Sequence, residues 1–228
     1  MKKRPFYFEI KDVLIQFIAA FDDVVISRYN RQRQSQGDVP VRYVYAPKQR
    51  VVHDLVNKAR HITLPAVAVS IKSIQYDKSR TFNKIAGSYH TRKDIFQGHE
   101  MSTVTDHLAQ PIPINIDVSM SVLTKYQTDM DQILSNFVPY NYPYIVISWK
   151  TPEKLLQDQQ EIRTEIEWSG NLSMDYPAEL TSGDPYRVSA DTSFTIKAWL
   201  FRHKDDPIGN IFTINSFFTP MSGIEGLT

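Results

Sequence analysis

Pro111-Ile112-Pro113-Ile114-Asn115-Ile116-Asp117-Val118-Ser119-Met120-Ser121-Val122 alternates without a break. Ile112, Ile114, Ile116, Val118, Met120 and Val122 point one way; Pro113, Asn115, Asp117, Ser119 and Ser121 point the other. A period of two held this long is a strand with one buried face and one polar face. A sheet is therefore the framework, and the rest of the chain is read as what covers it.

Two further stretches keep the same period. Ile162, Ile166, Trp168, Leu172, Met174 and Tyr176 share a face opposite Arg163, Glu165, Glu167, Ser169, Asn171, Ser173 and Asp175. Val188, Ala190, Phe194, Ile196, Ala198 and Leu200 share another. Strands of about 15 residues far exceed the usual 5 to 6. They predict a long antiparallel hairpin that reaches toward a neighbouring subunit. Upstream, Val67, Val69 and Ile71 alternate, then Ile74 and Tyr76 continue in the opposite phase. One extra residue near Lys72-Ser73, a β-bulge, accounts for that shift. Shorter strands are expected at Val24–Tyr29, Val41–Tyr45 and Tyr144–Trp149, with a polar turn from Asn30 to Asp38 between the first two.

Helices announce themselves by the other period. Ile10, Val13, Leu14, Phe17, Ile18 and Phe21 form one apolar stripe. Pro47 suits a first helical turn, where its missing N–H costs nothing, and Val51, Val52, Leu55, Val56 and Ala59 follow as a stripe. The outer side of that helix is basic, with Lys48, Arg50, His53, Lys58 and Arg60. Asp129 and Asp131 open a third helix at the end its dipole favours, and Met130, Ile133, Leu134 and Phe137 give its buried side. Pro139 and Pro143 bracket an aromatic loop, Tyr140-Asn141-Tyr142. The fold class that results is α+β: a mixed, mostly antiparallel sheet with about three helices packed on it, expected on one face, and a long β-hairpin. A single domain over residues 1–228 is expected, with a long loop at 78–110 and a C-terminal arm at 204–228.

Composition narrows the function. The 228 residues hold 26 Lys+Arg and 25 Asp+Glu, 42% hydrophobic and 22% charged, which fits a folded domain with a substantial core. No run of about 18 apolar residues is present, so no membrane span is expected. Glu9, Lys11 and Asp12 interrupt the apolar stretch that an export signal would need after Lys2-Lys3-Arg4. The absence of cysteine removes disulfides, thiolate metal sites and cysteine nucleophiles. Only 8 glycines argue against phosphate-cradling loops, whereas 12 Tyr and 12 Phe suit contact surface as well as core. Charge is uneven. Residues 1–60 carry 12 basic and 6 acidic side chains, and residues 151–228 carry 6 and 12. Two oppositely charged segments can attract each other within or between subunits.

The catalytic motifs are missing. There is no G-x-x-x-x-G-K-[ST], G-x-G-x-x-G or G-x-S-x-G. His99-Glu100 begins like a zinc H-E-x-x-H, but position 103 is Thr, so no metal or other cofactor is expected. Glu165 and Glu167 share a strand face, but with Arg163 beside them they read as a solvent or subunit face. Lys78, Arg80, Lys84, Arg92 and Lys93, with the basic helix, are candidates for non-specific phosphate contact with DNA.

Leu123-Thr124-Lys125-Tyr126-Gln127-Thr128-Asp129-Met130-Asp131-Gln132-Ile133-Leu134, followed by Pro139-Tyr140 and Pro143, resembles the tail sheath stabiliser, also called tail completion or tail terminator protein, of T-even-type contractile-tailed bacteriophages. The resemblance extends upstream through Val39-Pro40-Val41-Arg42-Tyr43, Ala46-Pro47-Lys48, Leu64-Pro65, Ile74-Gln75-Tyr76 and Pro111-Ile112-Pro113-Ile114. Downstream it includes Arg163 and Ile166-Glu167-Trp168-Ser169. It covers roughly residues 10 to 176 in order. It implies a ring-forming, tail-terminator-like subunit with no catalytic role. Such a subunit would form a homohexamer ring at the head-proximal end of the tail. There it would meet the tail sheath protein, the tail tube or tube-terminator protein and the neck or head-completion protein. Its location would be the virion, after assembly in the host cytoplasm. Candidate contacts are Arg80, Lys84, Arg92 and Lys93 in the 78–110 loop, Arg163, Glu165 and Glu167 on the ribbon, and Phe212, Phe217 and Phe218 in the arm. The residues leave two alternatives open: another ring-forming neck connector or tube-end protein, and an enzyme of unfamiliar type that uses His90, His99 and His107.

Overall fold

The computed structural model describes residues 7–56, 63–81, 87–96, 99–152, 161–176, 187–202 and 208–209; for 87–96, 99–108 and 208–209 it is the backbone that is described. The elements in chain order are α1 (Glu9–Ala19), β1 (Val25–Tyr29), β2 (Ser35–Pro40), β3 (Arg42–Tyr45), α2 (Lys48–Val56), β4 (Ala66–Tyr76), β5 (Gly87–Phe96) and β6 (His99–Ala109). They continue with β7 (Ile112–Thr124), α3 (Gln127–Tyr140), β8 (Ile145–Lys150), β9 (Glu161–Asp175), β10 (Val188–Leu200) and β11 (Ile208–Gly209). Two compact units result: residues 1–84 with 111–203, and residues 85–110 with 204–228.

The larger unit is built on six strands in the order β3-β4-β7-β10-β9-β8. Only β3 and β4 run parallel; every other pair is antiparallel. The parallel pair needs a crossover, and α2 supplies it. The uninterrupted alternation of 112–122 belongs to β7, which lies between β4 and β10 and turns Ile114, Ile116, Val118, Met120 and Val122 into the core, as the alternation predicts. The bulge expected near Lys72-Ser73 is present. Ile71 pairs with Val118 and Ser73 with Asp117, so Lys72 is the extra residue. Its effect is to return Ile74 and Tyr76 to the apolar side. A second irregularity lies on β9, where Trp168 to Leu172 oppose only Phe194 to Thr192. Gly170 there has φ +71°, a conformation that favours glycine.

The larger core lies on one side of the sheet. Ile116, Val118, Met120 and Val122 from β7 meet Phe194, Ile196 and Ala198 from β10 and Val67 and Val69 from β4. Val13, Leu14, Phe17 and Phe21 from the α1 region and Met130, Ile133 and Phe137 from α3 close over them. Four aromatic rings interlock at the centre. Phe194 stands 5.3 Å from Phe17, 5.5 Å from Phe21 and 5.8 Å from Phe137, mostly edge to face. Such pairs add about 0.5–1.5 kcal/mol each beyond their buried area. The two core tryptophans keep their N–H groups bonded: Trp149 Nε1 donates to Thr164 Oγ1 at 2.8 Å, and Trp168 Nε1 to Thr192 Oγ1 at 2.6 Å.

Three expectations are corrected. The helices do not share one face: Val51 of α2 packs with Ala68 and Leu123, which project opposite to Val67 and Val122. The polar turn at 30–38 ends earlier, because Ser35–Pro40 is strand β2, paired antiparallel with β1. The segment 78–110 is not a bare loop, since β5 and β6 within it form an antiparallel hairpin, with β11 paired to β6. The C-terminal arm at 204–228 lies outside the described residues apart from β11.

Candidate functional surfaces

The face of the sheet away from α1 and α3 is polar, and four knots of charged side chains stand out on it. At one corner, Lys48 Nζ of α2 donates to Asp191 Oδ2 at 2.7 Å and Ser189 Oγ at 2.9 Å, with Asp175 at 3.9 Å. In the middle, Asp117 accepts from Ser73 Oγ at 2.5 Å and Thr195 Oγ1 at 3.0 Å. Beside it, Lys197 bridges Glu165 at 3.3 Å and Glu167. Hydrogen bonding to Glu167, ahead of Glu165, holds the Lys197 ammonium pKa above its ordinary value.

The fourth knot is Arg80. Its Nε donates to Asp77 Oδ2 at 2.9 Å. One terminal nitrogen reaches the carbonyls of Ile114 at 2.5 Å and Ala198 at 3.2 Å, and Asn115 Oδ1 at 3.1 Å. The guanidinium lies 5.0 Å from the Trp199 ring centre. Asp77 in turn accepts from Ser79 Oγ at 2.6 Å and Ser79 N at 2.9 Å. The Ser79 hydroxyl, with Arg80 behind it, keeps the Asp77 carboxyl well below the usual carboxylate range. Arg80 was expected at a contact surface; its donors are used to tie the end of β4 to β7 and β10.

A second surface surrounds the start of α3. Gln132 Oε1 accepts from Ser27 N at 3.1 Å and its Nε2 donates to Ser27 O at 3.0 Å, so the side chain pairs with the β1 backbone as a strand would. Next to it a cleft is lined by Arg28, Tyr29, Gln36, Tyr126, Thr128 and Asp129. Arg28 sits 5.7 Å from the centre of the Tyr126 ring and 3.9 Å from the buried Asp129 carboxylate. Asn30 Oδ1 organises the hairpin tip by accepting from Gln32 N and Gln34 N, both at 2.9 Å, with Arg33 at φ +59°. The residues of this basic, aromatic corner are scattered between 28 and 132, so no local pattern in the sequence marks it.

The other expected contact residues fall as follows. Arg163 is 79% exposed on β9, 3.8 Å from Glu161, and shares its face with Glu165 and Glu167. Arg92 and Lys93 lie on β5 opposite Val104 and Thr103. Lys84, Phe212, Phe217 and Phe218 lie outside the described residues. His90 is placed opposite Asp106 on the β5–β6 hairpin, His107 opposite Tyr89 and His99 opposite Phe96. Among the described residues there is no group of three metal-ligating side chains, and no helix is long and apolar enough to cross a membrane.

The fold is that of an α+β sheet subunit whose polar face is laced by side-chain hydrogen bonds between strands. The chain is a member of the T4-like virus Myoviridae tail sheath stabiliser family, whose model matches residues 6–224, and so is a structural component of a contractile phage tail. No curated protein matches it. Among solved structures, it is similar to the sheath/tube terminator of the PVC extracellular contractile injection system in its extended state, at 11% identity and a TM-score of 0.36. That match covers 98% of this chain and 66% of the other, so this chain spans just under two thirds of that protein's length.

Proposed function

We propose that the protein assembles as a hexameric ring on the head-proximal end of the tail. There it caps the tube and the last sheath ring, holds the sheath extended, and presents the surface that joins the neck. The observation that carries this reading is the family match across residues 6–224. The polar groups described above agree with it, since they are engaged in holding strands together and form no acid–base or nucleophile pair. We assign the protein no enzymatic activity and no cofactor. Its partners are copies of itself, the tail sheath protein, the tube or tube-terminator protein and the neck protein. DNA passing the lumen makes at most non-specific contact through basic side chains. Assembly takes place in the host cytoplasm.

The test is a binding experiment on tails assembled without this protein. Gold-labelled protein should mark one end of each tail and keep the sheath at full extended length on dilution. Labelling along the whole sheath, or none, would contradict the proposal.

A further inference from the structure

The two lateral edges of the main sheet are stepped, and the steps are complementary. β3 pairs only with residues 66–69 of β4, so 70–76 of β4 lack a strand partner on that side among the described residues. β8 pairs only with residues 161–166 of β9, which leaves 167–175 in the same state on the opposite side. The sheet is five strands wide at the Tyr45 row and at the Ile74 row, on opposite sides of a four-strand waist at Ile71, Val118, Phe194 and Trp168, so its outline is slanted. One end has β3 and no β8, and the other has β8 and no β3.

We infer that successive copies interlock through these steps, β8 of one copy entering the notch beside β4 of the next, while β3 of that next copy enters the notch beside β9. The inference rests on the ring proposed above and names its interface. The registers allow it to be checked row by row. Ile74, Ile116, Ile196, Ile166 and Ile145 form one continuous row across β4, β7, β10, β9 and β8. A second copy placed at the same level would set its Ile74 beside Ile145. Tyr45, Val69, Met120, Thr192 and Leu172 form another row, and Tyr43, Val67, Val122, Ala190 and Met174 a third. The same placement sets Tyr45 beside Leu172 and Tyr43 beside Met174. A shift of one residue would turn every one of these side chains to the wrong face. Without a shift, apolar meets apolar on the α1–α3 side, and Arg42 comes opposite Asp175 on the other.

Exposure at the β3–β4 edge points the same way. On the α1–α3 side of that edge Tyr45 is 60% exposed, Ile74 44% and Tyr76 52%; on β8 Ile145 is only 8% exposed, and Val146, 51% exposed, faces the other side of the sheet. Proteins that work as monomers blunt such edges with charge or proline. The geometry also suits a ring. An edge that meets the opposite edge of the next copy is a heterologous contact, which closes when the rotation per copy is right. The β9–β3 contact would be antiparallel and the β8–β4 contact parallel, given the strand directions within one copy.

The chain has no cysteine, so introduced thiols report alone. Gln75→Cys with Val146→Cys places two thiols on the same face, one row from the isoleucine row. Within one copy they are separated by four strand spacings, about 19 Å, beyond the roughly 7 Å Cα limit of a disulfide. Ser73→Cys with Ser148→Cys is the off-register control. In protein that forms rings by light scattering, oxidation of the first pair should give a ladder reaching six chains on denaturing gels, and the control should stay monomeric. Rings whose first pair fails to link, or links no better than the control, would overturn the interlock and leave the ring standing. Absence of rings in the unmodified protein, alone and on tail ends, would overturn the ring reading and the interlock with it.

Discussion

The two faces of the main sheet are made by the same strands and are opposites. The α1–α3 side is dry: Phe17, Phe194, Ile116, Ile166 and Ile196 are at most 1% exposed. The other side carries Ser, Thr, Asp, Glu and Lys at alternate positions, and α2 covers one corner of it. The dry face defines the subunit by burial, which scales with area and does not depend on direction. The polar face cannot contribute that way. Its charges are bound in small, directional knots, each spanning two or three strands, and so they fix strand register and element ends at little cost in burial.

If that division is right, the largest loss should come from the dry face. Phe194→Ala removes the ring at the centre of the aromatic cluster and should cost about 3–5 kcal/mol, read from denaturant midpoints. Arg80→Ala should be the most costly change on the polar face, at roughly 1.5–3 kcal/mol per charged hydrogen-bond set lost. Hydrogen exchange should rise at residues 77–81 and at the ends of β7 and β10. Arg80→Lys should recover little, because one ammonium cannot present the planar fork that serves Asp77 and two carbonyls together. Gln132→Ala breaks the side-chain bridge to β1 and should cost about 1 kcal/mol, with faster exchange of the Ser27 amide.

The smallest effects concern pH. Lys197 has a raised native pKa, so its contribution is fully present below the ordinary lysine value and is lost as pH rises through the raised one. Exposed pairs of this kind contribute about 0.2–1 kcal/mol, so Lys197→Met should remove only a shallow alkaline slope from the stability curve. Asp77 has the opposite sign. Its depressed pKa contributes stability above the ordinary carboxylate value, lost only as pH falls through the lowered one. Asp77→Asn should therefore flatten part of the acid limb of the curve.

Much of the dry face was legible in the sequence because its signal is local. The stripes of α1 and α3, the alternation of β7 and the phase shift at Lys72 each lie within a dozen residues. The side on which α2 packs was not legible, since it follows from the β3–α2–β4 crossover and not from the helix itself; such crossovers are right-handed and the face they reach depends on strand order. β2, with Ser35, Gln36, Gly37 and Asp38 all exposed, has no apolar phase to read. The polar face was legible only as a polar face. That Glu165 and Glu167 share it could be seen from spacing, but their partner Lys197 stands 32 and 30 residues on. Arg80 looked like a free basic residue because two of its acceptors are main-chain carbonyls, which no side-chain pattern encodes. The edge tyrosines and Ile74 were assigned to strands, and that they end open rows emerged only from the register.

The most direct test of the central claim is the mass of the purified protein by light scattering, with negative-stain images of the same peak. Six copies of the 26.4 kDa chain give about 158 kDa. The account predicts that mass and six-fold rings, either in solution or on addition of tail ends. A protein that stays at 26.4 kDa and does not collect at one end of sheathed tails would contradict it.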